Sequence, residues 1–266
     1  MSGRETPSLS LSPSPTVPSG SARADEVARF GRLAGRWWDA DGPMRVLHQM
    51  NPVRLGWVEN HLRRRGGAEP GRPVRVLDVG CGAGIASEAM AAMGYEVLGI
   101  DASADAIAAA RAHADRGGEA GGGRVKTDWS LRYAVGTPEA LDPAEGGFDL
   151  VTAFEVVEHV AEVGAFLRSL AAQLRPGGLV ALTTVNRTAR SLLVAKIGAE
   201  YVAGLLPRGT HDWRRFPTPR ELGDAAAGAG LRVLDVAGMV PDPRRGASAW
   251  RMSDRVDVNY AMLLGG

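Results

Sequence analysis

Residues 74–84 read Val-Arg-Val-Leu-Asp-Val-Gly-Cys-Gly-Ala-Gly, a short β-branched run that breaks into alternating glycines. Such a run suits a strand buried on both faces of a parallel sheet. Glycines at 80, 82 and 84 allow a tight turn into a helical stretch from Ile85 to Met93. A strand, a glycine-rich turn and a helix in that order form the nucleotide-binding corner of α/β sheets.

The rest of the chain continues the alternation. Tyr95 to Asp101 is a second strand ending in an acid, and Ala104 to Ala114 an Ala-rich helix. Arg132 to Val135 and Phe148 to Ala153 read as strands three and four. A helix over Val163 to Leu174 and a turn at Pro176-Gly177-Gly178 lead to strand five, Leu179 to Val185. Arg232 to Val236 and Val256 to Leu264 supply two more strands at one edge. The expected fold is α/β: a doubly wound, mostly parallel, seven-stranded Rossmann-like sheet. Ahead of it lie two helices, Glu26 to Trp38 with Asp25 as N-cap and a second after Pro52, which predict an N-terminal helical cap over 25–72. Residues 1–24 hold seven Ser and four Pro with little to bury, and read as a disordered tail. Residues 25–266 then form one domain.

Which ligand the corner holds follows from its charges. The dinucleotide pattern needs a third glycine at position 85, which is Ile85. Asp78, just ahead of the turn, would repel a pyrophosphate. It suits an ammonium group, and Asp101 is the natural acceptor for a ribose diol. S-adenosylmethionine has an α-amino group, a carboxylate, a sulfonium and a ribose diol, and no phosphate. Net charge is +1, from 31 Lys+Arg and 30 Asp+Glu, which argues against a nucleic-acid partner. Cys81 is the single cysteine, so no internal disulfide forms and a cytoplasmic setting fits.

The chain resembles the O-methyltransferases of ubiquinone biosynthesis, within the class I S-adenosylmethionine-dependent methyltransferases, from about Phe30 to Tyr260. The likeness rests on the glycine turn, on Trp37-Trp38-Asp39, on Asn51-Pro52-Val53-Arg54-Leu55, on Phe154-Glu155-Val156-Val157-Glu158-His159, on Gly198-Ala199-Glu200-Tyr201, on Gly209-Thr210-His211-Asp212 and on Val256-Asp257-Val258-Asn259-Tyr260. It implies cofactor contacts at Arg54, Gly80, Asp101 and Phe154, which join Asp78 and Gly82 of the turn. A guanidinium at Arg54 could pair with the cofactor carboxylate, and a ring at Phe154 could cover the adenosyl group or approach the sulfonium.

Glu155, Glu158 and His159 form a second constellation. If the chain is helical there, positions i, i+3 and i+4 share a face and could hold a divalent cation such as Mg²⁺. The resemblance assigns that metal role to them, whereas structural pairing without a metal is the other reading. His159 is also the candidate base for a phenol proton. The implied activity is methylation of phenolic hydroxyls on polyprenylated ubiquinone precursors, at both O-methylation steps. An O-methyltransferase for soluble phenolic metabolites and a cofactor-binding scaffold with little turnover remain alternatives. Residues 187–218 form a helical insertion after strand five. Its apolar positions Leu193, Val194, Ile197, Tyr201 and Leu205 predict a lid, a core helix or a contact of 187–208 with the inner face of the membrane. A small-molecule polyprenyl phenol is the expected substrate, with a biosynthetic complex as a further partner. Val240 to Arg245 departs from the resemblance where a segment shaping the substrate pocket is expected.

Overall fold

A computed structural model describes residues 22–65, 72–116, 130–142, 147–188, 191, 215–246 and 248–266. The elements are α1 (Ala24–Leu33), α2 (Arg45–Arg64), β1 (Arg75–Val79), α3 (Ile85–Ala92), β2 (Glu96–Asp101), α4 (Ala104–Asp115), β3 (Leu131–Val135), β4 (Phe148–Phe154), α5 (Val163–Ala172), β5 (Leu174–Val185), α6 (Pro219–Gly228), β6 (Arg232–Pro241), β7 (Trp250–Ser253) and β8 (Asn259–Gly265). The strands form one sheet in the order β3-β2-β1-β4-β5-β8-β6-β7. The first five are parallel, and β8, β6 and β7 join antiparallel.

The sheet therefore has eight strands where seven were expected. The added edge strand, Trp250–Ser253, carries no β-branched residue and gave no pattern to read. The two expected late strands both lie beyond β5, on one side of the parallel strands, with the final strand between β5 and β6. At the N-terminus α1 begins two residues early, with Arg23 at the N-cap in place of Asp25, and ends at Leu33 before a 3₁₀ turn at Ala34–Arg36. Helix α2 starts well before Pro52, which lies inside it. Proline removes the N–H bond one turn back and its ring crowds that carbonyl, a cost that the packing of α2 offsets.

Alternation along each strand sends side chains to two cores. Leu77, Val79, Leu98, Val151 and Leu182 pack with Phe166, Leu167 and Leu170 of α5 and Leu222 of α6. Val76, Val97, Leu150 and Ala181 pack with Leu55, Val58 and Leu62 of α2 and Met90 of α3. Helix α2 thus covers one sheet face and comes down onto the glycine turn. Strand order reverses at β1, with β2 on one side and β4 on the other. That reversal opens a crevice outside the carboxyl ends of β1, β2 and β4.

Candidate functional site

A cavity of about 460 Å³ occupies that crevice. Its sheet side is made by Asp78, Gly80, Cys81, Asp101, Phe154, Glu155, Glu158 and His159, with Arg54 beside them. Its opposite wall is apolar and comes from the cap: Val27, Leu33, Pro43, Met44, Val46 and Leu47. Ala22 and Arg23 close one side, where Ala22 bridges Val160 backbone to backbone. Of the residues expected to hold the cofactor, Arg54, Asp78, Gly80, Asp101 and Phe154 meet here.

The turn is tied down from behind. Gly80, Gly82 and Gly84 all have positive φ (67°, 56° and 91°), which side-chain-bearing residues rarely adopt. A Cβ on Gly82 would lie 2.1 Å from the Trp37 ring. Gly82 itself works through its backbone: its N–H donates to Asp101 Oδ2 at 2.9 Å, while Ser103 N–H donates to Oδ1 at 2.8 Å. Asp101 is thereby oriented at the tip of β2, and burial raises its pKa despite those two donors. Asp78 accepts from the Ser87 hydroxyl at 2.6 Å and the Thr152 hydroxyl at 2.7 Å. Burial raises its pKa too, and the two hydroxyls oppose the shift.

Arg54 is a buried cation, 3% exposed, with its guanidinium carbon 4.3 Å from the Phe154 ring centroid. Desolvation lowers its pKa, and the nearby Glu155 and Asp78 carboxyls counter this. Its Nη1 has no hydrogen-bond partner. A buried guanidinium N–H left in that condition beside a cavity is a donor that an anion can satisfy.

The second constellation differs from its expectation. Glu155 has φ 57°, a strained value for a residue with a side chain, and only Val157–His159 forms a single 3₁₀ turn. No helix spans 155–159, so the one-face argument fails. Burial raises the pKa of Glu155, and burial together with Glu155 raises that of Glu158 well above the carboxylate range. The pair favours one retained proton over two charges. Glu158 also accepts from the Thr184 hydroxyl at 2.8 Å. Among the described residues, no group of three His, Cys, Asp or Glu side chains is placed to hold a metal ion. The metal expected at Glu155, Glu158 and His159 finds no support in this grouping. His159 remains on the cavity wall, next to Glu158.

Other expectations fall elsewhere. Pro241 to Arg245, thought to shape the substrate pocket, lies with Arg251 in a separate surface recess. Most of the 187–218 insertion, with Leu193 to Leu205 and His211, lies outside the described residues. No described helix is long and apolar enough to cross a membrane. Unread in the sequence were the hydroxyls of Ser87 and Thr152. Polar residues at strand and helix positions that pattern as buried are the signal that could have found them.

A family model described as a methyltransferase domain matches residues 48–236. The ubiquinone biosynthesis O-methyltransferase of Methylobacterium nodulans is 48% identical over 241 residues, covering 89% of this chain and 92% of that protein. Its namesake from Paramagnetospirillum magneticum is 44% identical, covering 92% and 95%. Among solved structures, magnesium protoporphyrin IX methyltransferase from Synechocystis PCC 6803 with bound S-adenosylhomocysteine superposes with a TM-score of 0.59 at 20% identity, covering 91% and 94%. A possible histamine N-methyltransferase from Thermotoga maritima gives 0.59 at 15% identity, covering 89% and 97%.

Proposed function

The chain belongs to the ubiquinone biosynthesis O-methyltransferase family of methyltransferase-domain proteins, and we propose that it methylates phenolic hydroxyls of polyprenylated ubiquinone precursors at both O-methylation steps. The observation that carries this reading is the meeting, in one cavity, of Arg54, Asp78, Asp101 and Phe154 with His159 opposite an apolar wall. The four match the groups of S-adenosylmethionine: Arg54 for the carboxylate, Asp78 for the ammonium, Asp101 for the ribose hydroxyls, Phe154 for the adenosyl face. When bound, the cofactor supplies an electrophilic methyl group on a sulfonium.

The remaining work belongs to the chain. A phenol, with a pKa near 10, is a poor nucleophile while protonated. The His159 imidazole takes that proton, so the oxygen can attack the methyl carbon as the carbon–sulfur bond breaks. The products are a methyl ether and S-adenosylhomocysteine. The apolar wall of Val27, Leu33, Met44 and Leu47 keeps water from the reacting atoms. Holding the acceptor oxygen in line with the methyl group can supply several kcal/mol of rate acceleration. No step is assigned to a metal, since among the described residues no three His, Cys, Asp or Glu side chains are grouped to hold one. A tailed substrate resides in the bilayer, so the reading includes work at the cytoplasmic face of the membrane.

The test is turnover of demethylated quinol precursors with and without a prenyl tail, by the wild-type chain and by His159→Ala. Methyl ether formed from the tailed compounds, with a fall of about 10²-fold or more in the variant at unchanged S-adenosylhomocysteine affinity, is expected. Equal activity on tail-free catechols would point to soluble phenols instead. Cofactor binding without any turnover would point to a scaffold.

A further inference from the structure

We propose that Asn51 is a positioning residue that aims the Arg54 guanidinium at the cofactor carboxylate. The inference rests on the reading above, in which Arg54 receives that group. Positions 51 and 54 are one helical turn apart on α2, so their side chains meet. Asn51 is 6% exposed, and both ends of its amide are used. Oδ1 accepts from Arg54 Nε at 3.1 Å, and Nδ2 donates to the Ile85 carbonyl at 3.1 Å.

Those two bonds have different consequences. The first, with Phe154 4.3 Å from the guanidinium carbon, restrains the guanidinium in its own plane and across it. With Nε held, the partnerless Nη1 has one direction to present its protons. The second bond ties the same amide to the first residue of α3, directly after the glycine turn. The amide thus fixes the spacing between the carboxylate receptor and the turn that passes beneath the cofactor. A bidentate guanidinium–carboxylate pair depends on such alignment more than a point charge does.

The experiment compares two ligands by calorimetry. S-adenosylhomocysteine carries the amino-acid carboxylate, and 5′-methylthioadenosine keeps the adenosine and sulfur but lacks it. Asn51→Leu, close in volume, should weaken S-adenosylhomocysteine about tenfold and leave methylthioadenosine unchanged. Asn51→Asp keeps the acceptor for Arg54 Nε but gives up the donor to the Ile85 carbonyl, so it should restore part of that difference. Equal weakening of both ligands in Asn51→Leu would mean a disordered turn and overturn the proposal. So would undiminished S-adenosylhomocysteine binding, or failure of Asn51→Asp to do better than Asn51→Leu. If Asn51→Leu does not fold, Asn51→Ser carries the same comparison. Arg54→Gln separates the two layers: if it binds S-adenosylhomocysteine like wild type, the assignment of Arg54 fails whatever Asn51 does.

Discussion

The indole of Trp38 lies flat on the imidazole of His113, with ring centroids 3.4 Å apart and planes within 1° of parallel. His113 Nδ1 stands 2.8 and 3.0 Å from the two Glu88 carboxylate oxygens, and both residues are buried. Trp38 Nε1 donates to the Ala83 carbonyl, inside the glycine turn, at 2.9 Å. One indole therefore joins the N-terminal cap, α4, α3 and the glycine turn.

Trp38→Phe tests the hydrogen bond apart from the stack. A phenyl ring can still cover His113, but the Ala83 carbonyl loses its donor in a buried place. The expected cost is about 1 kcal/mol, read as a fall in melting temperature of about 2–4 °C. S-adenosylhomocysteine affinity should fall with it, because the turn is the part released. A variant that melts with wild type and binds equally would show that the indole contributes packing alone.

Gly82→Ala meets two separate penalties. Its φ of 56° disfavours any Cβ, at about 1–2 kcal/mol. The new methyl would also lie 2.1 Å from a Trp37 ring carbon, an overpacking cost of about 1–3 kcal/mol. Denaturant unfolding of Gly82→Ala, Trp37→Ala and the double variant separates the terms. Adding Gly82→Ala to Trp37→Ala should cost less than adding it to wild type. Equal costs would place the whole effect in the backbone.

What could be read without coordinates was whatever repeats locally. Val76 and Leu77 belong to the opposite cores their alternation implies, and the glycines at 80, 82 and 84 turn as their spacing requires. Arg54 was found only through family resemblance, since an arginine on a helix is by itself ordinarily solvated. Its partner Asn51 lies in the same motif, where nothing local assigns it a role. The role depends on Ile85, 34 residues away, and no local pattern reports that distance. The Trp38–His113–Glu88 cluster escaped for the same reason. Glu155 misled in the other direction: its spacing to Glu158 and His159 suits a helix, but its positive φ ends that register before it starts.

Asp101→Asn addresses the ribose assignment. The amide is isosteric and its oxygen can still serve Ser103 N–H, but its NH2 then faces the Gly82 N–H, and it offers a diol one acceptor oxygen fewer and no charge. Loss of a charge-assisted bond predicts an S-adenosylhomocysteine Kd about tenfold higher. The Tm should fall as well, because the Gly82 N–H loses its acceptor, at a cost of about 1–3 kcal/mol. Wild-type affinity in this variant would remove Asp101 from the ribose.

The cap of α6 gives a stability prediction with a defined pH dependence. Thr218 Oγ1 accepts from Glu221 N–H at 3.3 Å, and Glu221 Oε2 accepts from Thr218 N–H at 2.9 Å. This capping box starts a helix that buries Leu222 and Ala226 against the sheet, so Thr218→Ala should cost about 1 kcal/mol in chemical denaturation. The Thr218 N–H foremost, and Arg187 after it, hold the Glu221 carboxyl below its ordinary value of 4.5. A carboxyl depressed in the folded state stabilises above its unfolded pKa, and that contribution is lost as pH falls through the folded one. Wild type should therefore exceed Glu221→Gln in stability at about pH 7, and the gap should close as the pH drops below about 4.5. A gap that stays constant on acidification would mean that the carboxylate charge contributes nothing to the cap.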